Sequence, residues 1–369
     1  MKYRQLAGED ISVLGFGCMR FPVTAEGKID REQAKAMLLK AVDSGVNYFD
    51  TAYVYHGGES ENFLGDLLEE TGIRDEINIA TKLPTWEVKC ENDFDRLLNE
   101  QLENLKTDHI DYYLLHALDN DRYENIVKKF KLIDHMNRAK ADGRIRHIGF
   151  SFHDDLAAFK KIVDANPDWE FCQIQYNYIN TDYQAGTEGL CYAHKKGLDV
   201  IIMEPLLGGK LANPVEQVKA VLDPSRTPVE WALDYLWGRE EVSVILSGMG
   251  AMEQVCANLE YADKAEVGML SEAELEMLKR AKHIYETMSK VPCTKCNYCM
   301  PCPYGLDIPA IYEIYNLTAA MHKETPAAMY KKLQVKADKC MKCRACERVC
   351  PQDIKTSKLM GEIAEFFAD

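Results

Sequence analysis

Eight short apolar runs, each followed by a longer amphipathic stretch, repeat between about residue 11 and residue 262. The runs cover 13–18, 47–51, 77–82, 110–116, 145–151, 171–176, 199–203 and 243–247. Helix-like stretches lie between them, among them 31–44, 59–70, 94–105, 123–141 and 228–237. Short apolar strands alternating with helices imply parallel strands joined by crossovers. Gly45, Gly143 and Gly197 stand where helices would stop, and Pro228 where one would start. Eight such units over about 250 residues match the size of a (β/α)8 barrel. A doubly wound sheet is the alternative, but its first strand usually leads into G-x-G-x-x-G. Here Gly15-Phe16-Gly17-Cys18-Met19-Arg20 lacks the third glycine. The barrel is the expected architecture.

Residues 3–6 and 11–13 flank Gly8-Glu9-Asp10 and read as a hairpin closing the barrel's bottom, and 272–288 reads as one amphipathic helix. Composition then changes at Pro292-Cys293. The expected organisation is a barrel over 1–265, a connecting helix within 266–290 and a small domain over 291–369. Eight of the 13 cysteines fall between positions 293 and 350. The net charge of −15 argues against a nucleic-acid binder. No apolar run approaches the ~20 residues of a membrane span, and residues 1–10 carry no signal-peptide-like stretch. A cytoplasmic protein is expected, in which clustered cysteines point to metal rather than disulfides.

Barrel chemistry sits at the carboxyl ends of strands. Reading polar residues there gives Asp50 after the second strand, Lys82 after the third and His116 after the fourth, with Tyr55 in the loop after Asp50. Singly, these read as a helix cap, a rim charge, a buried histidine and a packing aromatic. Together they suit carbonyl reduction. A tyrosine hydroxyl can protonate the alkoxide that hydride addition leaves, although its ordinary pKa of about 10 is high for that task. Lys82 is expected to lower that pKa, Asp50 to hold the lysine charged, and His116 to donate a hydrogen bond to the carbonyl oxygen.

Phe49-Asp50-Thr51-Ala52-x-x-Tyr55 with Gly58-Glu59-Ser60-Glu61-x-x-Leu64-Gly65, then Ala80-Thr81-Lys82 and Asp111-Tyr112-Tyr113-Leu114-Leu115-His116, resemble the aldo-keto reductases. The resemblance covers roughly residues 1–265. It implies a nicotinamide cofactor across the barrel mouth and Asp50, Tyr55, Lys82 and His116 as the catalytic tetrad. Ser151 and Gln173 match the residues that hold the carboxamide, while Phe152 stands where an asparagine is usual. Met203, before Glu204-Pro205-Leu206, replaces the aromatic commonly found under the nicotinamide ring. Ser247, Gly248, Met249, Gln254 and Asn258 match the segment that binds the dinucleotide phosphates. Gly17, Cys18 and Asp50 complete the candidate cofactor contacts. Gly248 and Gln254 occupy positions where NADPH-preferring relatives carry cations, so NADH is expected to bind at least as well as NADPH.

The run Cys340-x-x-Cys343-x-x-Cys346-x-x-x-Cys350-Pro351 has the bacterial ferredoxin spacing for a 4Fe-4S cluster. Cys293-x-x-Cys296-x-x-Cys299-x-x-Cys302-Pro303 is one residue shorter before its last cysteine. Two clusters are expected, with one cluster, zinc or disulfides as the alternatives. On the two-cluster pattern, Cys350 completes the site of Cys293, Cys296 and Cys299, and Cys302 that of Cys340, Cys343 and Cys346. Helical spacing over 308–317 and 327–335 predicts a mainly helical, two-cluster ferredoxin-like domain. The whole chain resembles the ferredoxin-fused branch of the aldo-keto reductases.

The resemblance implies hydride exchange between NAD(P)H and a small carbonyl or alcohol, with the clusters passing single electrons to or from a redox partner. The alternative is an electron-transfer protein whose barrel serves for docking or sensing. Nicotinamide moves two electrons and a cluster one, so a direct link needs a flavin or a substrate radical. No flavin motif is legible, yet a flavin in the barrel mouth stays compatible with the sequence. Trp86, just beyond Lys82, is a candidate pocket residue.

Overall fold

In a computed structural model, which describes residues 1–288, 290–319 and 323–368, each of the eight apolar runs is a strand. Residues 289, 320–322 and 369, which fall in the connecting segment and the C-terminal domain, lie outside that set. The strands are β1 (Leu14–Gly17), β2 (Tyr48–Asp50), β3 (Asn78–Leu83), β4 (Ile110–Leu118), β5 (Ile145–Phe152), β6 (Phe171–Gln175), β7 (Asp199–Met203) and β8 (Val242–Ser247). Each pairs in parallel with its sequence neighbours, and β8 returns to β1, closing the barrel. Both faces of such strands are covered, which is why they read as unbroken apolar runs. Every residue of β1, β6 and β8 is buried.

The helices after successive strands are α1 (Arg31–Asp43), α2 (Glu59–Thr71), α3 (Asp93–Asn104), α4 (Leu132–Ala141), α5 (Leu156–Ala165), α6 (Gly186–Lys195), α7 (Pro228–Trp237) and α8 (Met252–Ala262). Gly45, Gly143 and Gly197 follow α1, α4 and α6 at φ of 89°, 86° and 82°. That left-handed conformation ends helices and suits glycine. The stretch 123–141 is not one helix. A π turn at Tyr123–Val127 is separated from α4 by Lys131 at φ 50°. Apolar spacing continues across the break, so periodicity does not reveal it.

Tyr3–Leu6 and Glu9–Ser12 pair as an antiparallel hairpin, with Ala7 and Gly8 at φ 53° and 89° forming its turn. The turn falls one residue earlier than Gly8-Glu9-Asp10 suggests, because a tight hairpin turn of this kind takes positive φ at both central residues. Leu6 and Ile11 are fully buried among Tyr48, Tyr112, Phe171 and Ile201, at the end where the strands start. The Tyr112 hydroxyl donates to the Leu6 carbonyl at 3.0 Å, and the Asp199 carboxylate accepts from the Ala7 amide at 2.7 Å. With the bottom plugged, chemistry is left to the other rim.

The chain gathers into two compact units, Met1–Pro205 with Glu230–Ser271, and Leu206–Val229 with Glu272–Asp369. The second holds α9 (Glu272–Met288), α10 (Ile308–Leu317), α11 (Glu324–Lys332) and α12 (Thr356–Phe366). Asp307 caps α10 by accepting from the Ala310 amide at 3.0 Å, and Pro309 takes the first turn. Ile308, Ile311 and Ile314 share a small core with Val291, Tyr312, Tyr330, Met360 and Ile363. The side chain of Asn316 pairs with both backbone groups of Val291, at 2.7 and 2.8 Å, fixing the chain where the first cysteine run begins. Among the described residues no helix is long and apolar enough to cross a membrane.

Candidate functional site

Asp50 ends β2 directly opposite Ala80 of β3, so Lys82, two residues further on, faces the same rim. The Lys82 ammonium donates to Asp50 Oδ1 at 2.7 Å, to the Thr51 carbonyl at 2.8 Å and to Tyr55 Oη at 3.3 Å. Lys82 is 0% exposed and Asp50 2%, so these three bonds replace the water a buried ammonium would otherwise lose. Tyr55 opens a tight turn, Tyr55–Gly58, in the loop that follows β2. His116, from β4, meets the Tyr55 ring edge-on with centroids 6.3 Å apart. The Trp86 ring lies 5.1 Å from His116, on the same rim. Four residues far apart in sequence thus converge because adjacent parallel strands deliver them in register.

The electrostatics differ from the expectation on one point. Burial holds the Tyr55 phenol well above its ordinary pKa of 10.0, and Asp50 adds to the shift. Desolvation outweighs the ammonium, whose charge is already balanced by Asp50. Tyr55 therefore rests protonated. Burial, then the charges of Lys82, His153 and Arg122, keep the His116 imidazole well below 6.5 and so neutral. Burial also raises the Asp50 carboxyl, opposed by Lys82.

The cofactor candidates are placed unevenly. Gly17 pairs with Asp50 across β1 and β2. Cys18 is fully buried, its amide bonded to the Asp50 carbonyl at 2.8 Å and its thiol raised by burial and Asp50. Ser151 Oγ accepts from the Ala117 amide at 2.7 Å, so it also orients the strand segment carrying His116. Gln173 is buried, with its amide nitrogen 3.6 Å from Met203 Sδ and its Oε1 without a hydrogen-bond partner among the described residues. An orphaned buried carbonyl beside a thioether at the strand ends fits a carboxamide N–H with a ring over the sulfur. Ser247 accepts from the buried Asn258 amide at 3.0 Å, Met249 is 1% exposed, and Gln254 caps the Gly250 amide at 2.8 Å. These three shape the β8 loop rather than presenting free donors.

The sequence reading missed three groups. Arg20, in the loop after β1, lies across Gly248, where an added Cβ would fall 2.6 Å from Arg20 Cγ. The β8 loop has no cation of its own, but the fold brings one to it. Arg122 stands 5.8 Å from the Trp86 ring and donates to the Ala117 carbonyl at 2.5 Å. His153, just past β5, is pushed down to about 4 by burial and Arg122. Arg20 and His153 come from loops and Arg122 from a single helical turn, Asn120–Arg122, too short for periodicity to mark direction.

In the second unit the two cysteine runs face each other. Cys293, Cys296 and Cys299 line a cavity together with Cys346 and Cys350 of the other run. Cys340, Cys343 and Cys346 line another together with Cys302. Among the described residues no three such side chains close in as they would around a single small ion; the thiols stand back around a space instead. Burial, then Cys296, Cys293 and Cys350, push the Cys299 thiol up to about 12. A set of thiols that repel one another's ionisation suits a multiply charged iron centre. Tyr312, Ile308 and Thr356 complete the walls, the last two lining both cavities.

Residues 13–229 match the model of the aldo/keto reductase family, and residues 292–355 that of a 4Fe-4S dicluster domain. The chain is 27% identical over 293 residues to L-galactose dehydrogenase of Arabidopsis thaliana, covering 72% of this chain and 91% of that protein. It is 24% identical to the uncharacterized oxidoreductase YqkF of Bacillus subtilis, covering 76% and 96%. Among solved structures, an aldo-keto reductase from Bacillus halodurans in its holo form superposes with a TM-score of 0.65 at 24% identity, over 76% of this chain and 96% of that one. One from Klebsiella pneumoniae in complex with NADPH gives 0.62 at 23%, over 76% and 94%. These likenesses extend the barrel fold to this chain.

Proposed function

We propose, from the premise that this chain belongs to the aldo/keto reductase family, that it exchanges hydride between NAD(P)H and a small carbonyl or alcohol, with Tyr55 as general acid and base. The observation that carries this is the buried contact of Lys82 with both Asp50 and Tyr55, beneath the His116 ring. When bound, the nicotinamide supplies or accepts hydride and the clusters supply or accept single electrons.

The chain's own residues do the rest. A neutral His116 keeps an N–H to donate to the substrate oxygen as negative charge builds there. Tyr55, held as the phenol, hands its proton to that oxygen, and Lys82 then stabilises the phenolate it leaves. Asp50 keeps Lys82 charged and aimed. In oxidation the same groups act in reverse. Ser151, Gln173 and Met203 would hold the nicotinamide end, and Arg20, Gly248 and the start of α8 the phosphates.

The two cavities support two clusters with crossed ligation: Cys293, Cys296, Cys299 and Cys350 around one, and Cys340, Cys343, Cys346 and Cys302 around the other. On this reading the functional parts are a reductase barrel over 1–265, a connecting helix within 266–290 and an electron-transfer domain over 291–369. The experiment is anaerobic mixing of the iron-loaded protein with NADH or NADPH and a panel of small aldehydes and ketones. Oxidation of the nicotinamide that depends on Tyr55 supports the reading. No turnover of any carbonyl by protein that binds the cofactor would leave the barrel a docking or sensing module.

A further inference from the structure

The charge of the chain is unevenly placed. Overall it has 44 basic and 59 acidic residues, yet residues 331–358 hold nine Lys and Arg against three Asp and Glu. That stretch wraps the second cluster cavity. Lys342 and Arg344 line it, with Met341 between the first of them and Cys340. Lys336 and Lys339 precede Cys340, Arg348 follows Cys346, and Lys355 adjoins Thr356. All of these basic residues are exposed. Asp338 pairs with Lys339 at 2.8 Å, Glu347 with Arg344 at 3.3 Å and Asp353 with Lys355. Among the described residues Lys336, Lys342 and Arg348 have no carboxylate at ion-pair distance. Among the described residues no charged side chain lines the first cavity.

Apolar side chains punctuate the basic rim. Met341 is 65% exposed and Val349 48%. Cys343 is exposed as well, whereas the other seven cysteines of the two runs are partly covered. A thiolate ligand at the surface, a few apolar contacts and a ring of cations describe a transient electron-transfer interface.

We propose that the rim around the second cavity docks an acidic one-electron carrier protein, and that electrons enter or leave the chain there. This rests on the reading above that the clusters exchange electrons with a partner. In each encounter the carrier's redox group loses one electron and the cluster at the second cavity gains it, or the reverse; no bond forms or breaks. Unpaired cations on an otherwise acidic chain give an acidic carrier an attractive face. The face sits beside the exposed Cys343, which shortens the electron's path.

The test is stopped-flow reduction of the anaerobic, iron-loaded full chain by an acidic flavodoxin in its hydroquinone form. The second-order rate should fall at least ~10-fold between about 20 mM and about 500 mM salt, as screening shortens the reach of the rim. Lys336→Glu, Lys342→Glu and Arg348→Glu combined should slow it by a similar factor at low salt while leaving iron content and reduction by dithionite unchanged. The Gln versions at the same three positions should give an intermediate rate. If the charge reversal costs iron, the salt dependence of the wild type and the Gln set decide. A rate insensitive to both salt and substitution, with dithionite still reducing the clusters, would overturn the docking face and leave the electron-transfer reading standing. Clusters that dithionite cannot reduce would overturn that reading and the docking face with it. Single-stranded DNA held by the rim at salt that releases flavodoxin would overturn the carrier in favour of nucleic acid.

Discussion

Lys82 and Asp50 form an ion pair of 2.7 Å in which neither side chain meets solvent. Each charge is tolerable only because of the other. Lys82→Met is expected to destabilise the barrel by about 3–5 kcal/mol, since it strands a buried carboxylate. Asp50→Leu with Lys82→Met should recover most of that loss, because two apolar groups need no partners. Unfolding followed by tryptophan fluorescence reads the barrel alone, as Trp86, Trp169, Trp231 and Trp237 all precede residue 272. A double variant no more stable than Lys82→Met would mean that the pair is not the main polar cost at this rim.

Tyr55→Phe should lower kcat for carbonyl reduction by at least ~10², the lower range of general-acid contributions. Cofactor affinity, measured by fluorescence titration, should stay within ~2-fold, about 0.4 kcal/mol. The ring still packs beside Lys82, 4.9 Å from the ammonium, and only the proton donor is lost. Turnover equal to wild type would remove the tetrad from the mechanism.

The directions of two shifts fix a pH profile. A phenol whose pKa is raised keeps its proton as pH rises, so Tyr55 stays an acid through the alkaline range. An imidazole whose pKa is lowered stays neutral as pH falls through 6.5. The rate of reduction is therefore expected to be level between about pH 6.5 and about pH 10, the span between the two unperturbed values. A rate that halves on passing from acid to pH 7 would show that His116 must carry a proton, against its surroundings.

The strands were legible because a parallel barrel buries both faces and leaves no alternation to misread. All eight lie within a residue or two of their apolar runs, and three of the four candidate residues, Asp50, Lys82 and His116, are carried by those strands. What escaped is what depends on direction in space. Arg20 is separated from Gly248 by most of the chain, yet the closure of β8 onto β1 makes them neighbours. The Tyr55 environment was read from a nearby charge, whereas burial, invisible in sequence, decides it. Helix α12 went unread although Met360 and Ile363 are buried core residues, because the cysteine run before it drew the pattern. The broken stretch 123–141 shows the limit of periodicity, since Val127, Phe130 and Ile133 keep a three-residue spacing through a backbone that turns left-handed at Lys131.

Arg20 makes the nucleotide preference testable. A guanidinium meets a phosphate ester with two parallel hydrogen bonds, and no residue of the β8 loop offers that. Arg20→Ala is expected to weaken NADPH by ~10-fold, about 1.4 kcal/mol, and NADH by less than ~2-fold. Equal weakening of both would put the guanidinium on the pyrophosphate that they share. Unchanged affinities would return the chain to the NADH preference that Gly248 and Gln254 suggest.

Crossed ligation gives the cysteines a mechanical consequence. Cys350 shares a cavity with Cys293, Cys296 and Cys299, and Cys302 shares one with Cys340 and Cys343. Each cluster then ties together two runs between which lie α10 and α11, closing a long loop whose entropy the unfolded chain would otherwise regain. The core that holds Ile308, Ile311 and Ile314 packs against Cys293, Cys299, Cys302, Cys340, Cys346 and Cys350, so the core and the clusters stabilise one another. Anaerobically purified protein should carry about eight irons, two clusters of four. Cys350→Ala should lose about half of them or more, expose the tail to protease, and leave Cys293, Cys296 and Cys299 open to alkylation, read by peptide mass. Alkylation confined to Cys340, Cys343 and Cys346 would instead return each run to its own cluster.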